Sequence, residues 1–299
     1  MLRTRVYIDG YNFYYGCLKG TPYKWLDLVK LFKTKILPSV TAEVDGARLQ
    51  MSLENFSIKY FTAPILEKVA KDEDSTLSQS SYLNALKKHS GDALEIFHGN
   101  YSLLEAHAKQ VDPQEPQKWP RDCNQVTIWK VEEKKSDVSL ALHAFKDALL
   151  GEIDHAVIVT NDTDIQPALE LINRHTKVKI GLVIPTRDHE RIPNQELRDE
   201  AIWVRTHITD DELFTSELPR VIHARRPYRK PISWYPNPKL IEQALTISKA
   251  NGMNTSEVFK WLQKPNPHWG ERLPLDMLND LNDGKIVLEF MSEWEKIKP

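Results

Sequence analysis

Apolar residues in the first two thirds of the chain come in short runs separated by longer stretches of helical spacing. Residues 5–9 (Arg-Val-Tyr-Ile-Asp) form a β-rich run that stops at a carboxylate followed by Gly10. Over 25–37, Trp25, Leu28, Val29, Leu31, Phe32 and Ile36 recur at helical spacing until Pro38 closes the pattern. Residues 56–63 and 94–98 predict two more strands. Between them a polar helix runs over 75–89, entered at Ser75 and ended by Gly91. From 101 to 125 the periodicity fails, and Pro113, Pro116 and Pro120 mark a loop or insertion. A β pattern returns over 126–131.

A helix follows over 136–150, carrying Val138, Leu140, Leu142, Phe145 and Leu149, with Gly151 as its stop. Residues 155–160 (His-Ala-Val-Ile-Val-Thr) hold four successive apolar residues, which suits a strand covered on both faces of a parallel sheet. A helix over 165–173, a buried strand over 178–184 and an edge strand over 201–207 complete the series. Strands alternating with helices predict an α/β fold, a Rossmann-like parallel sheet sandwich with right-handed crossovers.

The pattern changes after 218. Pro219, Pro227, Pro231, Pro236 and Pro238 interleave with Arg220, Arg225, Arg226, Arg229 and Lys230, which predicts a semi-extended linker. Helices are then predicted over 239–250, 256–263, 274–281 and 285–295. The expected organisation is a domain over 1–218, a Pro/Arg-rich linker over 219–237 and a small C-terminal helical domain over 238–299.

Composition narrows the function. The chain has 299 residues with 40 Lys+Arg against 42 Asp+Glu, a net charge of −2, so any polyanion site must be a local patch rather than a global field. Two cysteines, Cys17 and Cys123, are too few for a disulfide scaffold or a thiolate zinc cluster and fit reduced thiols in a cytoplasmic protein. A carboxylate arrives at Asp9 before a signal core could form, and no apolar run approaches the roughly 20 residues that span a bilayer. The absence of Gly-x-x-x-x-Gly-Lys and Gly-x-Gly-x-x-Gly argues against P-loop and dinucleotide-fingerprint chemistry. His-Glu-x-x-His and Gly-x-Ser-x-Gly are absent too.

The candidate chemistry is acidic. Asp9 ends the first strand, and Asp162 and Asp164 follow the 155–160 strand directly in Thr-Asn-Asp-Thr-Asp. Ligands of open α/β sheets bind beyond the C-terminal strand ends, where the strand order reverses. If these two strands are neighbours there, their carboxylates converge, and Asp137 at the start of the long helix can lean into the same edge. Crowded carboxylates require a compensating cation or partial protonation. Oxygen-only donors select a hard ion, Mg²⁺ or Mn²⁺, which suits phosphodiester hydrolysis. Taken singly, each aspartate has a structural alternative as a turn or helix-cap residue.

Three segments carry a resemblance. Ile8–Asn12 (Ile-Asp-Gly-Tyr-Asn), 134–141 (Lys-Lys-Ser-Asp-Val-Ser-Leu-Ala) and 159–169 (Val-Thr-Asn-Asp-Thr-Asp-Ile-Gln-Pro-Ala-Leu) resemble, in order and spacing, the signatures of NYN domains, PIN-like ribonucleases with a Rossmann-like sheet. The resemblance covers roughly residues 3–208. It implies a metal-dependent endoribonuclease with Asp9, Asp137, Asp162 and Asp164 as catalytic, metal-binding acids. Asn12 would orient the site or contact substrate, with Tyr11, Lys134, Lys135 and Asn161 beside the RNA. Two departures stand out. Thr160 and Asn161 replace the usual Ser-Gly before the acidic pair, and 101–125 is longer than the family minimum.

RNA, single-stranded or structured, is the expected partner. Phosphates would meet Lys19, Lys24, Lys130, Lys134, Lys135, Arg187 or Arg191, and bases would stack on Tyr11, Phe13, Tyr14 or Tyr15. Residues 238–297, with Trp261-Leu262, Pro265-Asn266-Pro267 and Gly270-Glu271-Arg272-Leu273-Pro274-Leu275, resemble the toxin-binding helical domain of Xre–ParS-type antitoxins. That implies a protein partner or a homodimer through 238–299, with Trp261, Trp269 and Trp294 as anchors or core, and no membrane role. Two other readings stay open: a catalytically silent RNA-binding scaffold, and a phosphohydrolase of small phosphoesters.

Overall fold

The computed structural model describes residues 2–40, 43–44, 47–48, 51–70, 72–187 and 191–293. Six strands form one sheet: β1 (Leu2–Asp9), β2 (Met51–Thr62), β3 (Leu94–His98), β6 (His155–Val159), β7 (Lys179–Val183) and β8 (Trp203–Arg205). Their order is β8-β7-β6-β1-β2-β3 and every pairing is parallel. The strand order reverses between β1 and β6, so the two acid-bearing strands are neighbours at the switch point, with Ile8 in register with Val159.

The β6 run is buried along its whole length, as four consecutive apolar residues require. Helices α1 (Gly10–Phe13), α2 (Leu28–Leu31) and α3 (Ser75–Ser90) cover one face of the sheet, where Val6 and Ile8 pack with Trp25, Leu31, Phe32, Tyr82 and Leu86. Tyr7 packs on the other, under helices α4 (Ser136–Leu149) and α5 (Gln166–His175), with Leu140, Ala144, Leu169 and Ile172. Both layers of the sandwich are thus in place. Along α4 only part of the apolar set is inward: Leu140, Ala144 and Ala148 are buried, whereas Val138, Leu142 and Leu149 face water.

A buried polar chain locks the far edge of the sheet. Trp203 Nε1–H donates to His155 Nε2 at 3.0 Å, so the His155 proton sits on Nδ1, 3.1 Å from Thr4 Oγ1. Thr4 in turn donates to Leu2 O at 3.2 Å. Gly181 is needed under this ring, because a Cβ there would lie 2.1 Å from Trp203. Burial lowers the His155 imidazole to about 4 from an ordinary 6.5. The neutral form is the one the fold accommodates. Its contribution is therefore complete above pH 6.5, where the unfolded chain is also neutral, and is lost as pH falls from 6.5 towards 4. We expect this group alone to remove about 3 kcal/mol of unfolding free energy across that window, read by denaturant titration at several pH values against His155→Asn.

Two segments differ from the sequence expectation. Residues 101–109, expected as loop, belong to strand β4 (Asn100–Lys109). It pairs antiparallel with β5 (Gln125–Lys134) in a two-stranded arm separate from the main sheet. The prolines confine the irregular part to 110–124. The strand is cryptic in sequence because neither face of the arm lies on the core, so no apolar–polar alternation marks it. Residues 219–237 are not a free linker: Val221–Ile222 pairs with Tyr228–Arg229, Ile222 and Lys230 are buried, and Trp25 Nε1 donates to Pro219 O at 2.9 Å. Trp234, against Trp25 and Tyr82, closes this packing. The helix Gly10–Phe13 continues as a π-helical stretch over Tyr14–Leu18.

The C-terminal helices fall at Pro238–Ala250, Thr255–Leu262, Pro274–Met277 and Leu281–Ser292, close to expectation. They enclose their own core of Leu240, Ile241, Val258, Leu262, Leu275, Leu278 and Val287. Trp261 and Trp269 are half-buried against Phe290, with ring centroids 6.1 and 5.1 Å from it. Trp294 lies outside the described residues. Among the described residues no helix is long and apolar enough to cross a membrane.

Candidate active site

Asp9 is the last residue of β1 and the N-cap of the helix that follows. Its Oδ1 accepts from Asn12 N at 3.0 Å, and Oδ2 accepts from Asn12 Nδ2 at 2.7 Å and Thr160 Oγ1 at 2.8 Å. The carboxylate is 2% exposed. Burial lifts its pKa, and the Asn12 and Thr160 hydrogen bonds offset only part of that rise. Gly10 allows this turn to sit against β2, since a Cβ there would lie 2.5 Å from Phe61 O.

Thr160 explains one departure from the family pattern. Its hydroxyl donates to Asp9 and accepts from Asp162 N at 3.1 Å, so the β-branched residue keeps the one group the turn uses. Asp162 Oδ1 accepts in turn from Asp164 N at 3.1 Å. Asn161 points to the neighbouring loop: Oδ1 accepts from Asn194 N at 2.9 Å, and Nδ2 donates to Ile192 O at 3.1 Å. It fastens the 192–194 segment beside the site.

Asp137 lies in the first turn of α4, where the helix N-terminus favours a negative charge. Its carboxyl is nevertheless pushed up to about 6, first by crowding of protein atoms and then by the charges of Asp9, Asp162, Glu133 and Asp164. The four predicted acids therefore act on one another across one edge. Glu133, near the end of β5, is a fifth acid that sequence reasoning missed. It is raised by burial and by Asp9, and its Oε1 is buried without a hydrogen-bond partner. Its signal in the sequence was its place just ahead of Lys134, Lys135 and Asp137.

Among the described residues no three acidic, His or Cys side chains stand close enough to form a ready-made cation cage. The acids form an open fan. Lys134 pairs with Glu132 at 2.6 Å, and Lys130 pairs with the same carboxylate. Lys135 is exposed with a left-handed φ of 80° at the N-cap of α4. Arg187 pairs with Asp210 at 3.0 Å.

Aromatic rings border the acids. Tyr11 and Tyr15 are both exposed, with ring centroids 4.5 Å apart. Tyr14 meets Tyr15 edge-on at 5.3 Å, and Lys19 Nζ lies 4.5 Å above the Tyr15 ring. Phe13 is core. The phenol of Tyr11 is raised first by burial, then by Tyr15, Glu133 and Asp9, which places it at the rim of the acidic edge.

A family model, the NYN domain, matches residues 3–204. The chain is 48% identical over 295 residues to 6-hydroxy-3-succinoylpyridine 3-monooxygenase HspA of Pseudomonas putida (strain DSM 28022 / S16), an alignment covering 98% of this chain and 95% of that one. A solved structure of a protein of unknown function from Vibrio parahaemolyticus RIMD 2210633 aligns at 16% identity over 55% of this chain and 98% of its own, with a TM-score of 0.23. The family match spans more than half the chain, and the sheet order and strand-end acids described above agree with it: the chain belongs to the NYN-domain family.

Proposed function

We propose that this protein is a metal-dependent endoribonuclease that hydrolyses RNA phosphodiester bonds at the acidic edge. The observation that carries the reading is the gathering of acids at the switch point: Asp9 ends β1, Asp162 follows the neighbouring β6, and the Asp137 carboxyl is raised to about 6, first by desolvation and then by repulsion from Asp9, Asp162, Glu133 and Asp164. A divalent cation relieves such repulsion. The donor set is oxygen only, which suits Mg²⁺ or Mn²⁺. An open fan fits Mg²⁺, which retains several waters and needs only one or two carboxylates. When bound, such an ion supplies Lewis-acid polarisation of a phosphoryl oxygen and a water of lowered pKa. Asn12 and Thr160 orient Asp9, the Asp164 N–H orients the Asp162 carboxylate, and Asp137 and Asp164 complete the fan from the two helix starts.

The exposed Tyr11 and Tyr15 rings offer unpaired bases a stacking surface at the rim, which favours single-stranded or looped RNA. Stacking of one base is worth about 1–3 kcal/mol. Tyr11→Ala should therefore raise KM for a short single-stranded RNA roughly tenfold with kcat retained, and Tyr11→Phe should restore it. Unchanged KM in Tyr11→Ala would remove the ring from the substrate path. The whole reading is tested with labelled RNA in Mn²⁺, Mg²⁺ or EDTA. Binding without cleavage in either metal would favour an RNA-binding scaffold.

One observation favours a second reading. The relative that is 48% identical along nearly its whole length is named a monooxygenase of a succinoylpyridine. Were that reaction to run here, the Tyr11–Tyr15 surface would receive a pyridine ring in place of a base, and turnover would consume O₂ and a two-electron reductant. Oxygen uptake that depends on the pyridine, with no RNA cleavage, would select it.

A further inference from the structure

The arm made of β4 and β5 is the part of the domain with least cover. Each strand has ten residues, a reach of about 33 Å, and the two pack substantially only on each other. Apolar side chains stand out on both faces. Antiparallel register places Val131 opposite Leu103 and Trp129 opposite Glu105 on one face, and Ile128 opposite Ala106 and Lys130 opposite Leu104 on the other. Trp129 is 69% exposed and Leu104 58%. The chain then passes directly into α4, whose outward stripe carries Val138, Leu142 and Leu149, with Leu142 62% exposed. Isolated exposed apolar residues are ordinary, but exposed apolar surfaces on two successive elements are not.

We propose that a second copy of this chain covers them: the arm of one protomer lies across α4 and the arm of the other, in a two-fold dimer. Three features select that occupant. A ribbon apolar on both faces needs cover on both, and a second copy brings two apolar surfaces, its own arm and its own α4. Leu104 and Trp129 on the arm and Val138, Leu142 and Leu149 on the helix are each more than half exposed, a surface of the extent that a stable interface, with about 800 Å² from each partner, takes up. Acidic and basic residues of the arm nearly cancel, with Glu132 held by Lys130 and Lys134, so the arm is ill suited to a polyanion. A self-complementary patch closes on itself under two-fold symmetry, which leaves no open apolar edge for further growth.

The test is sedimentation equilibrium of the full chain beside Trp129→Asp, Leu142→Lys and Trp261→Ser, each checked by circular dichroism. The wild type should be a dimer. Trp129→Asp and Leu142→Lys should each raise the dimer dissociation constant roughly 30-fold or more, as loss of a buried anchor does, while Trp261→Ser leaves it unchanged. A monomeric wild type would overturn the proposal, as would retention of the dimer in either the arm or the helix variant. Dimerisation lost only in Trp261→Ser would overturn it as well, placing the contact in the C-terminal helices.

Discussion

Asp162→Asn is expected to lower metal-dependent RNA cleavage on the order of 10³-fold while leaving the unfolding transition nearly where it was. The side chain is only partly buried, and its structural duty is carried by one oxygen, Oδ1, which accepts from Asp164 N. Asparagine keeps that acceptor and removes only the charge. Asp9→Asn should abolish activity to a similar degree but is a poorer probe. Asp9 is nearly fully buried, and its two oxygens accept from Asn12 N, Asn12 Nδ2 and Thr160 Oγ1, so an amide there puts donor against donor. About 1–3 kcal/mol of stability should go with it. Single-turnover cleavage and thermal melts of the two variants together separate chemistry from fold. Near wild-type rates in Asp162→Asn would refute its place in the site.

Asp147→Ala should be the most destabilising exchange within α4. Asp147 is fully buried on the inner face of the helix, and its Oδ2 accepts from Tyr7 OH at 2.7 Å and Lys59 Nζ at 2.7 Å and pairs with Arg5 as well. These partners outweigh the cost of burial and hold its pKa below the ordinary carboxylate value. They also join the helix that carries Asp137 to the two strands β1 and β2. Alanine leaves Lys59, itself 5% exposed, as an uncompensated buried charge. We expect a loss of about 3–5 kcal/mol and a fall in Tm on the order of 10 °C, measured by denaturant and thermal unfolding. The double variant Lys59→Met/Asp147→Leu should recover part of that loss, because it removes the stranded charge too. A single-variant cost below about 1 kcal/mol would mean that the network does not tie α4 down.

The central sheet was legible because burial on both faces leaves an unambiguous mark. The run 156–159 suits an inner strand, which puts the carboxylates that follow it at a strand end. The convergence of Asp9 with Asp162 then followed from topology, and the β1–β6 pairing provides it. Features without contact with a core were hidden. The arm strands lack alternation because neither face is buried. Glu133 feels the charge of Asp9, from which it is more than a hundred residues away in the chain, and no local spacing encodes such a long-range approach. Segment 219–237 looked like a linker from its prolines and arginines. Two of its apolar residues, Ile222 and Trp234, decide otherwise by packing on a surface formed far away in sequence. Asn161 stands beside the acids in sequence, where a substrate contact is expected, but its side chain is engaged by the loop at 192–194.

Hydrolysis of RNA and oxygenation of a pyridine are separated by a paired assay on one preparation of the full chain. Labelled single-stranded RNA is incubated with Mn²⁺ or EDTA. In parallel, 6-hydroxy-3-succinoylpyridine is supplied with a reductant, and oxygen uptake is followed. RNA cleavage that requires Mn²⁺ and stops in EDTA, with no pyridine-dependent uptake of oxygen, is the expected result. Intact RNA under every metal, together with oxygen consumption that depends on the pyridine, would contradict it.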